Sequence, residues 1–414
     1  MRLLFSITYY TPYVSGLTLY VKKLAEALVK TGYKATVLSM QHSRDTASEE
    51  KIDGVSVVRA KPLFAINKGF ISYDFLIKSH HLVKETDCVV INLPQFEGFI
   101  AALWAGIFNK KIIAVYHCEV VMPAGIGNKL AEIALNAANI LTLLFAESIV
   151  TYTEDFARNS AILPYFRKKI RIVYPPISVS KPDKRVQNLI IDKTQTSGKF
   201  IIGVAARLAA EKGMEYLLES IPLINSKLKV PASAAPPAKP MAMHGKARAG
   251  RQMSKLKGKI DRKNIPVFKI IIAGSMDPAG EEKYKSKILK LLSKYRRYVV
   301  FLGNLEEKDM GSFYSLLDVL VLPSINRTEA FGMVQAEAML SGVPVVATDL
   351  PGVRIPVNTT GMGIIVPVKN PQKTADAIAR ILVNREKYVK EKLKIRDIFN
   401  ISKTIKFYKE LIAV

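Results

Sequence analysis

Short apolar runs rich in β-branched residues alternate with helix-length segments along the whole chain, in two series separated by a polar stretch. The first series covers residues 3–7, 35–38, 55–58, 88–91 and 112–115; the second covers 200–204, 268–274, 299–302, 319–322, 343–347 and 364–366. Runs that are apolar at consecutive positions suit strands covered on both faces, and the helical segments between them suit parallel crossovers. The pattern predicts an α/β chain with two doubly wound, Rossmann-like domains in tandem. Its 414 residues exceed one ordinary core, and a 49% hydrophobic content is enough to fill two. The boundary falls in Ser180-Lys-Pro-Asp-Lys-Arg-Val-Gln187 or in residues 193–199, where Pro, charge and Gly198 replace apolar periodicity. The division is therefore 1–185 and 195–398, followed by a helical tail at 400–414. Ligands of open α/β sheets sit beyond the carboxyl ends of the strands, so two such sheets facing each other would place a site in the cleft between them.

One segment of the second domain carries the densest chemical signal. In Thr328-Glu-Ala-Phe-Gly-Met-Val-Gln-Ala-Glu-Ala-Met-Leu-Ser-Gly342, Glu329 and Glu337 stand eight positions apart. Read as one helix, Thr328 caps the start, Phe331, Val334, Ala338 and Met339 form an inward face, and Ser341-Gly342 ends it. The two carboxylates would then lie ~12 Å apart along the axis and ~80° apart around it. Backbone N–H groups at Phe331, Gly332, Met333 and Val334 would face an anion between the acids, with Gly332 permitting close approach. An ordinary amphipathic helix with two solvated glutamates has the same spacing.

With its flanks, residues 319–348, the segment resembles the signature of glycosyltransferase family 4, the retaining, nucleotide-sugar-dependent enzymes of GT-B architecture. Two further blocks match in order. Ile201-Ile-Gly-Val-Ala-Ala-Arg-Leu-Ala-Ala-Glu-Lys-Gly213 is similar to the loop in which the family's Arg and Lys hold the donor diphosphate, and Pro12-Tyr-Val-Ser-Gly16 resembles its first loop. The resemblance implies a cleft between two Rossmann-like domains, with acceptor on the first and nucleoside-diphosphate sugar on the second. It implies that Arg207 and Lys212 neutralise the diphosphate, Glu329 meets the donor hexose and supports charge at the anomeric carbon, and Glu337 takes the ribose hydroxyls. Gly16 would approach the diphosphate or sugar, or else serve only a tight turn before the helix that follows, and His117 would help place sugar and acceptor. Glu119 and Glu97 are weaker loop candidates. The tail would cross back onto the first domain.

The chain departs from the family pattern at Ala330, Ala206, Pro175-Pro176-Ile177 and Ile355. The first two are small-for-small exchanges, and the third alters an interdomain turn. No Asp-x-Asp motif is present, so charge on the departing diphosphate would be met by Arg207 and Lys212, without metal or cofactor. Rival readings are a nucleotide-sugar epimerase or hydrolase on the same scaffold, and a non-catalytic nucleotide-sugar or nucleic-acid binding protein. Cys88 and Cys118 lack metal-ligand spacing and read as buried, reduced thiols. The start of the chain reads as a strand, not a signal peptide, and the most apolar helices are too short or too interrupted to span a bilayer.

Net charge is +26, concentrated between Lys227 and Lys263, where eleven Lys or Arg face one acid among Pro, Ala and Gly. Residues 228–264 read as a disordered basic insertion. Together with Arg167-Lys-Lys-Ile-Arg171 and Arg296-Arg297, it points to an anionic membrane surface; without interleaved aromatics or a nucleic-acid motif, nucleic acid is disfavoured. Tyr9, Tyr10 and Tyr13 point to a lipid-linked or glycan acceptor or, equally for tyrosines beside a strand, to core packing. The expected location is the cytoplasm, peripheral to the membrane.

Overall fold

A computed structural model describes residues 1–413 apart from 44, 67–68, 124, 229–266 and 277–280. The basic insertion expected at 228–264 lies outside the described residues except for Leu228, the last residue of the helix Met214–Leu228.

Two sheets organise the chain. The first has eight strands in the order Ile170–Ile172, Ser148–Thr151, Lys111–Tyr116, Cys88–Leu93, Arg2–Ser6, Lys34–Met40, Val55–Ala60, Glu49–Ile52. Its pairings are parallel except at the last strand, which returns antiparallel to Val55–Ala60. The second has six parallel strands, in the order Val299–Gly303, Phe268–Ala273, Phe200–Ala205, Val319–Leu322, Val345–Thr348, Gly363–Val366. Cys88–Leu93 and Phe268–Ala273 are buried at every position, which is why they read as continuous apolar runs.

Three strands of the first sheet were not anticipated. Glu49–Ile52 is an edge strand of mostly charged residues, and Ser148–Thr151 and Ile170–Ile172 are too short to stand out from their surroundings. A separate small hairpin pairs Phe64–Ile66 with Gly69–Ile71. The expected linker is also more ordered than its composition implies. Lys184–Thr194 is a helix whose first turn is capped by Asp183, which accepts from the Arg185 N–H at 2.7 Å. Only Ile190 and Thr194 of this helix are buried, so its periodicity is faint. Gln187 Nε2 donates to Ser315 Oγ at 2.6 Å, fastening the helix to Glu307–Leu316 of the second domain.

Helix Gly16–Lys30 packs on the first sheet through Val21, Leu24 and Leu28, while Leu17 is only half-buried. Ser15 caps it, accepting from the Thr18 N–H at 3.2 Å. The last helix, Ile401–Ala413, lies against this first helix. Tyr408 and Tyr20 hydroxyls meet at 2.6 Å in full burial, and Thr404 Oγ1 donates to Tyr174 O at 3.0 Å. One apolar core runs from the first sheet through Phe156, Phe331 and Val353 to Tyr408, so it crosses from one domain to the other. A second core, built on Ile202 and Val204 with Leu217 and Ile378, fills the outer side of the second sheet.

Candidate active site

The carboxyl ends of the strands in the two sheets deliver the loops that carry the candidate residues. Residues 7–15 follow the first strand and residues 117–125 follow Lys111–Tyr116; on the other side, residues 206–213 follow Phe200–Ala205 and residues 323–332 follow Val319–Leu322.

Lys212 and Glu329 come together as expected of a shared site, with Nζ to Oε2 at 2.7 Å and both side chains mostly buried. The loop that carries Lys212 ends at Gly213, whose φ of +58° is left-handed and where a Cβ would collide with Pro323 O. Ile325 N–H donates to Glu211 O at 2.9 Å and ties the loop to the same turn. Arg207 lies one turn earlier and pairs with Glu211, Nη2 to Oε1 at 2.6 Å. Cys118 of the first domain sits beneath these charges. Burial pushes its thiol up to about 12, Glu329 adds to the rise, and Lys212 and Arg207 oppose it. Tyr9, in the loop after the first strand, feels one of the same charges, that of Arg207. Its hydroxyl is likewise pushed up to about 12, chiefly by burial and then by Tyr13 and Glu97, against the field of Arg207.

The helix at the centre of the motif is shorter than its sequence suggests. It covers Met333–Leu340, with Gly332 at the N-cap in a left-handed conformation of φ +73°. Thr328 does not cap it: its N–H donates to Asn326 Oδ1 at 3.0 Å, and Glu329 N–H donates to Asn326 O at 3.2 Å, forming a turn. Glu329 and Glu337 therefore do not lie on one helix, and the spacing worked out along a single axis does not apply. The reason lies in Phe331 and Gln335. The Phe331 ring is buried among Tyr152, Tyr174 and Phe399, with centroids at 5.8, 5.3 and 6.4 Å. The Gln335 amide donates back to Phe331 O and, at 2.8 Å, to Val353 O, fixing the loop outside helical geometry. Phe331 thus serves the site through packing, and its side chain does not line the cleft. The first-turn N–H groups at Met333 and Val334 lack intrahelical partners by geometry. Met333 also meets the opposite domain: a Cβ on Gly16 would lie 3.7 Å from its Cε.

Glu337 is held from both sides. Tyr314 hydroxyl donates to Oε2 at 2.7 Å, and Lys23 Nζ of the first domain approaches Oε1 at 3.3 Å. Lys23 also donates to Ser178 O at 3.1 Å and stands 3.4 Å from Glu307 Oε1. Two further bridges join the domains. Glu119 faces Arg327 at 3.4 Å, while its other oxygen accepts from Ser160 Oγ at 2.7 Å and Ala161 N–H at 2.6 Å. Arg354 grips Asp155 with Nη2 at 2.7 Å and Nε at 2.9 Å, and Gly352 N–H adds a third bond at 2.8 Å. Burial raises the Asp155 carboxyl, but these partners outweigh it and leave the group below its ordinary value.

His117 is almost fully buried, at 1% exposure, and does not open onto the cleft. Asn92 spends its amide N–H groups on Ser6 O at 3.1 Å and Val90 O at 3.4 Å, so its Oδ1 accepts from His117 Nε2–H at 2.9 Å. Nδ1 is left to accept the Tyr152 hydroxyl. Burial drives the imidazole down to about 3, so it is neutral and both nitrogens are engaged. That geometry suits positioning and excludes proton abstraction by the ring as placed. Tyr152 carries the influence onward, since its ring packs on Phe331.

Asn92, Tyr152, Lys23 and Tyr314 had no motif to reveal them; each acts through a partner remote in sequence. Of the three tyrosines singled out in the first loop, Tyr10 is core, whereas Tyr9 and Tyr13 stack at 4.6 Å. Cys88 and Cys118 are buried and free. Among the described residues no cluster of three or more His, Cys, Asp or Glu is placed to hold a metal, and no helix is long and apolar enough to cross a membrane.

Two facing doubly wound domains, with paired cations and acids at the carboxyl edge of the second, define the GT-B class of glycosyltransferase. The chain belongs to the family 4 type within that class. The family model described as Glycosyltransferase Family 4 matches residues 14–181, and the model described as Glycosyl transferases group 1 matches residues 251–396. An uncharacterised glycosyltransferase of Methanocaldococcus jannaschii is 24% identical over 386 residues, covering 89% of this chain and 85% of that one. A phosphatidyl-myo-inositol mannosyltransferase of Mycobacterium leprae is 34% identical over 123 residues, a span of only 29% of this chain and 31% of that one. Among solved structures, HepE of Anabaena in complex with UDP and glucose shares the fold with a TM-score of 0.73 at 16% identity, over 100% of this chain and 99% of that one.

Proposed function

We propose that this glycosyltransferase moves a sugar from a nucleoside-diphosphate donor to a glycan or lipid-linked acceptor, with retention at the anomeric carbon and without a metal. The observation that carries the reading is the convergence of Arg207, Lys212 and Glu329 with the Met333 helix start and Gly16 of the opposite domain. Negative charge grows on the diphosphate as its bond to the anomeric carbon breaks. Lys212 and Arg207, released from Glu329 and Glu211, would pair with that charge; the Met333 and Val334 N–H groups and the helix dipole would add to it. Glu329, freed of Lys212, would accept from hexose hydroxyls and face the cationic anomeric centre. Glu337, with Tyr314 as its fixed donor, would accept from the ribose. The acceptor would enter beside Tyr9 and Tyr13. The inositol-lipid mannosyltransferase relative favours an acceptor of lipid-linked kind, and such an acceptor calls for a cytoplasmic enzyme peripheral to the membrane.

Turnover of a panel of nucleoside-diphosphate sugars, with and without chelator and with and without lipid-linked acceptors, tests this. Acceptor-dependent nucleotide release that survives chelation is expected. Release without any acceptor would replace transfer by hydrolysis, and loss on chelation would refute neutralisation by Arg207 and Lys212 alone.

A further inference from the structure

The helix Ile126–Phe145 of the first domain turns a stripe of large apolar residues outward. Ile126, Leu130, Ile133, Ile140, Leu141 and Leu144 recur at helical spacing and are exposed, Ile126 to 85% and Leu130 to 63%. The side turned to the protein is mixed: Ala138 and Leu143 are buried there beside Asn139, 2% exposed, which accepts from the Gln95 N–H at 3.2 Å, and Thr142, which donates to Ala138 O at 3.0 Å. Glu132, the one acid in the helix, is occupied with the Met122 N–H at 2.9 Å. The neighbouring helix Gly98–Ile107 extends the apolar surface with Ile107, which is 60% exposed. A contiguous apolar face of this kind is a contact surface, since leaving it in water costs free energy in proportion to its area.

Charge identifies the occupant. Lys169 Nζ donates to Leu144 O at 2.8 Å and Leu143 O at 3.3 Å, fixing a basic segment against the carboxyl end of the helix. Beside it Arg167, Lys168 and Arg171 are exposed, as is Lys129 near the amino end. Tyr165, 85% exposed, stands within the same segment, a residue type that favours the boundary between lipid tails and headgroups. An apolar stripe ~30 Å long, flanked by cations, matches a bilayer with anionic headgroups, into which a helix of this type settles parallel to the surface.

We infer that the outward face of Ile126–Phe145, with the Arg167–Arg171 cluster, docks this enzyme on an anionic bilayer. The inference locates the surface behind the membrane part of the proposed function and does not depend on the sugar-transfer part. Its placement has a consequence for that reaction. The helix is reached from strand Lys111–Tyr116 through residues 117–125, where Glu119 contacts Arg327 across the cleft. A bilayer on this face lies at the rim of the cleft on the acceptor side.

The test is sedimentation of the full chain with phosphatidylglycerol-containing vesicles and with pure phosphatidylcholine vesicles. The wild-type protein should sediment with the former. Leu130→Glu together with Ile133→Glu should reduce that partition by at least about tenfold. Lys168→Glu with Arg171→Glu should abolish the preference for phosphatidylglycerol. All four side chains lie on the surface, and unchanged melting checks that the variants fold; Leu130→Ser with Ile133→Ser repeats the test without added charge. Wild-type protein left in the supernatant, or apolar-face variants that adsorb like wild type, would overturn the inference. So would a dimer that the apolar-face variants convert to monomer while neither form adsorbs, because the face would then belong to a second copy. Transfer to a water-soluble acceptor is read separately, so loss of docking and loss of catalysis are distinguishable.

Discussion

The buried imidazole of His117 makes a pH dependence that the structure sets in sign and size. Burial holds its titration near 3, against an ordinary value of 6.5. As pH falls below 6.5 the unfolded chain takes up a proton that the folded chain refuses. The stability tied to this group is therefore complete above 6.5 and is lost progressively as pH falls toward 3. Linkage gives a loss of about 2 kcal/mol between about pH 7 and about pH 5 from this residue alone. His42 is also depressed, by burial and then by Arg59, so the informative quantity is a difference between proteins. Urea unfolding of wild type and His117→Gln at both pH values supplies it: the wild type should lose about 2 kcal/mol more than the variant. Equal losses would refute a neutral, buried His117. The same argument applies to catalysis, where the kcat profile should show no inflection near 6.5 that disappears in His117→Gln.

Lys212→Ala should lower kcat by about a hundredfold or more if, as proposed, Lys212 meets the developing diphosphate charge. Its stability should fall by roughly 1–3 kcal/mol, because Glu329 is left mostly buried without its partner, and a fall in melting large enough to account for the lost activity would make the Glu329 pair structural. Gly332→Ala should cost roughly 1–3 kcal/mol in chemical denaturation, since a side chain there meets a φ of +73° and the Leu322 methyl. Wild-type stability in that variant would show that the loop relaxes freely.

Most of the sheet architecture was legible because parallel strands covered on both faces announce themselves as apolar runs. Cys88–Leu93 and Val319–Leu322 could hardly be read otherwise. Glu49–Ile52 escaped because an edge strand exposes polar side chains, and Lys184–Thr194 because a helix with so little burial carries almost no period. At the site, motif order placed Lys212 and Glu329 near one another, but neither their ion pair nor the helix start was legible. Propensity favours a helix through 329–340, and burial of the Phe331 ring with the Gln335 hydrogen bonds overrides it. His117 was visible as a residue and invisible in its role, because Asn92 and Tyr152 reach it from positions 25 and 35 residues away.

The cleft carries its own counter-ions. Lys212, Arg207 and Lys23 are already matched by Glu329, Glu211 and Glu337 before any donor arrives. On the proposed reading, donor capture would be an exchange of partners, in which Lys212 and Arg207 trade carboxylates for diphosphate oxygens and the released Glu329 turns to a hexose hydroxyl. Affinity measures only the difference between the two sets of pairs. Raising ionic strength loosens the internal set as well as the external one, so association should respond to salt far less than the number of cations at the site would suggest.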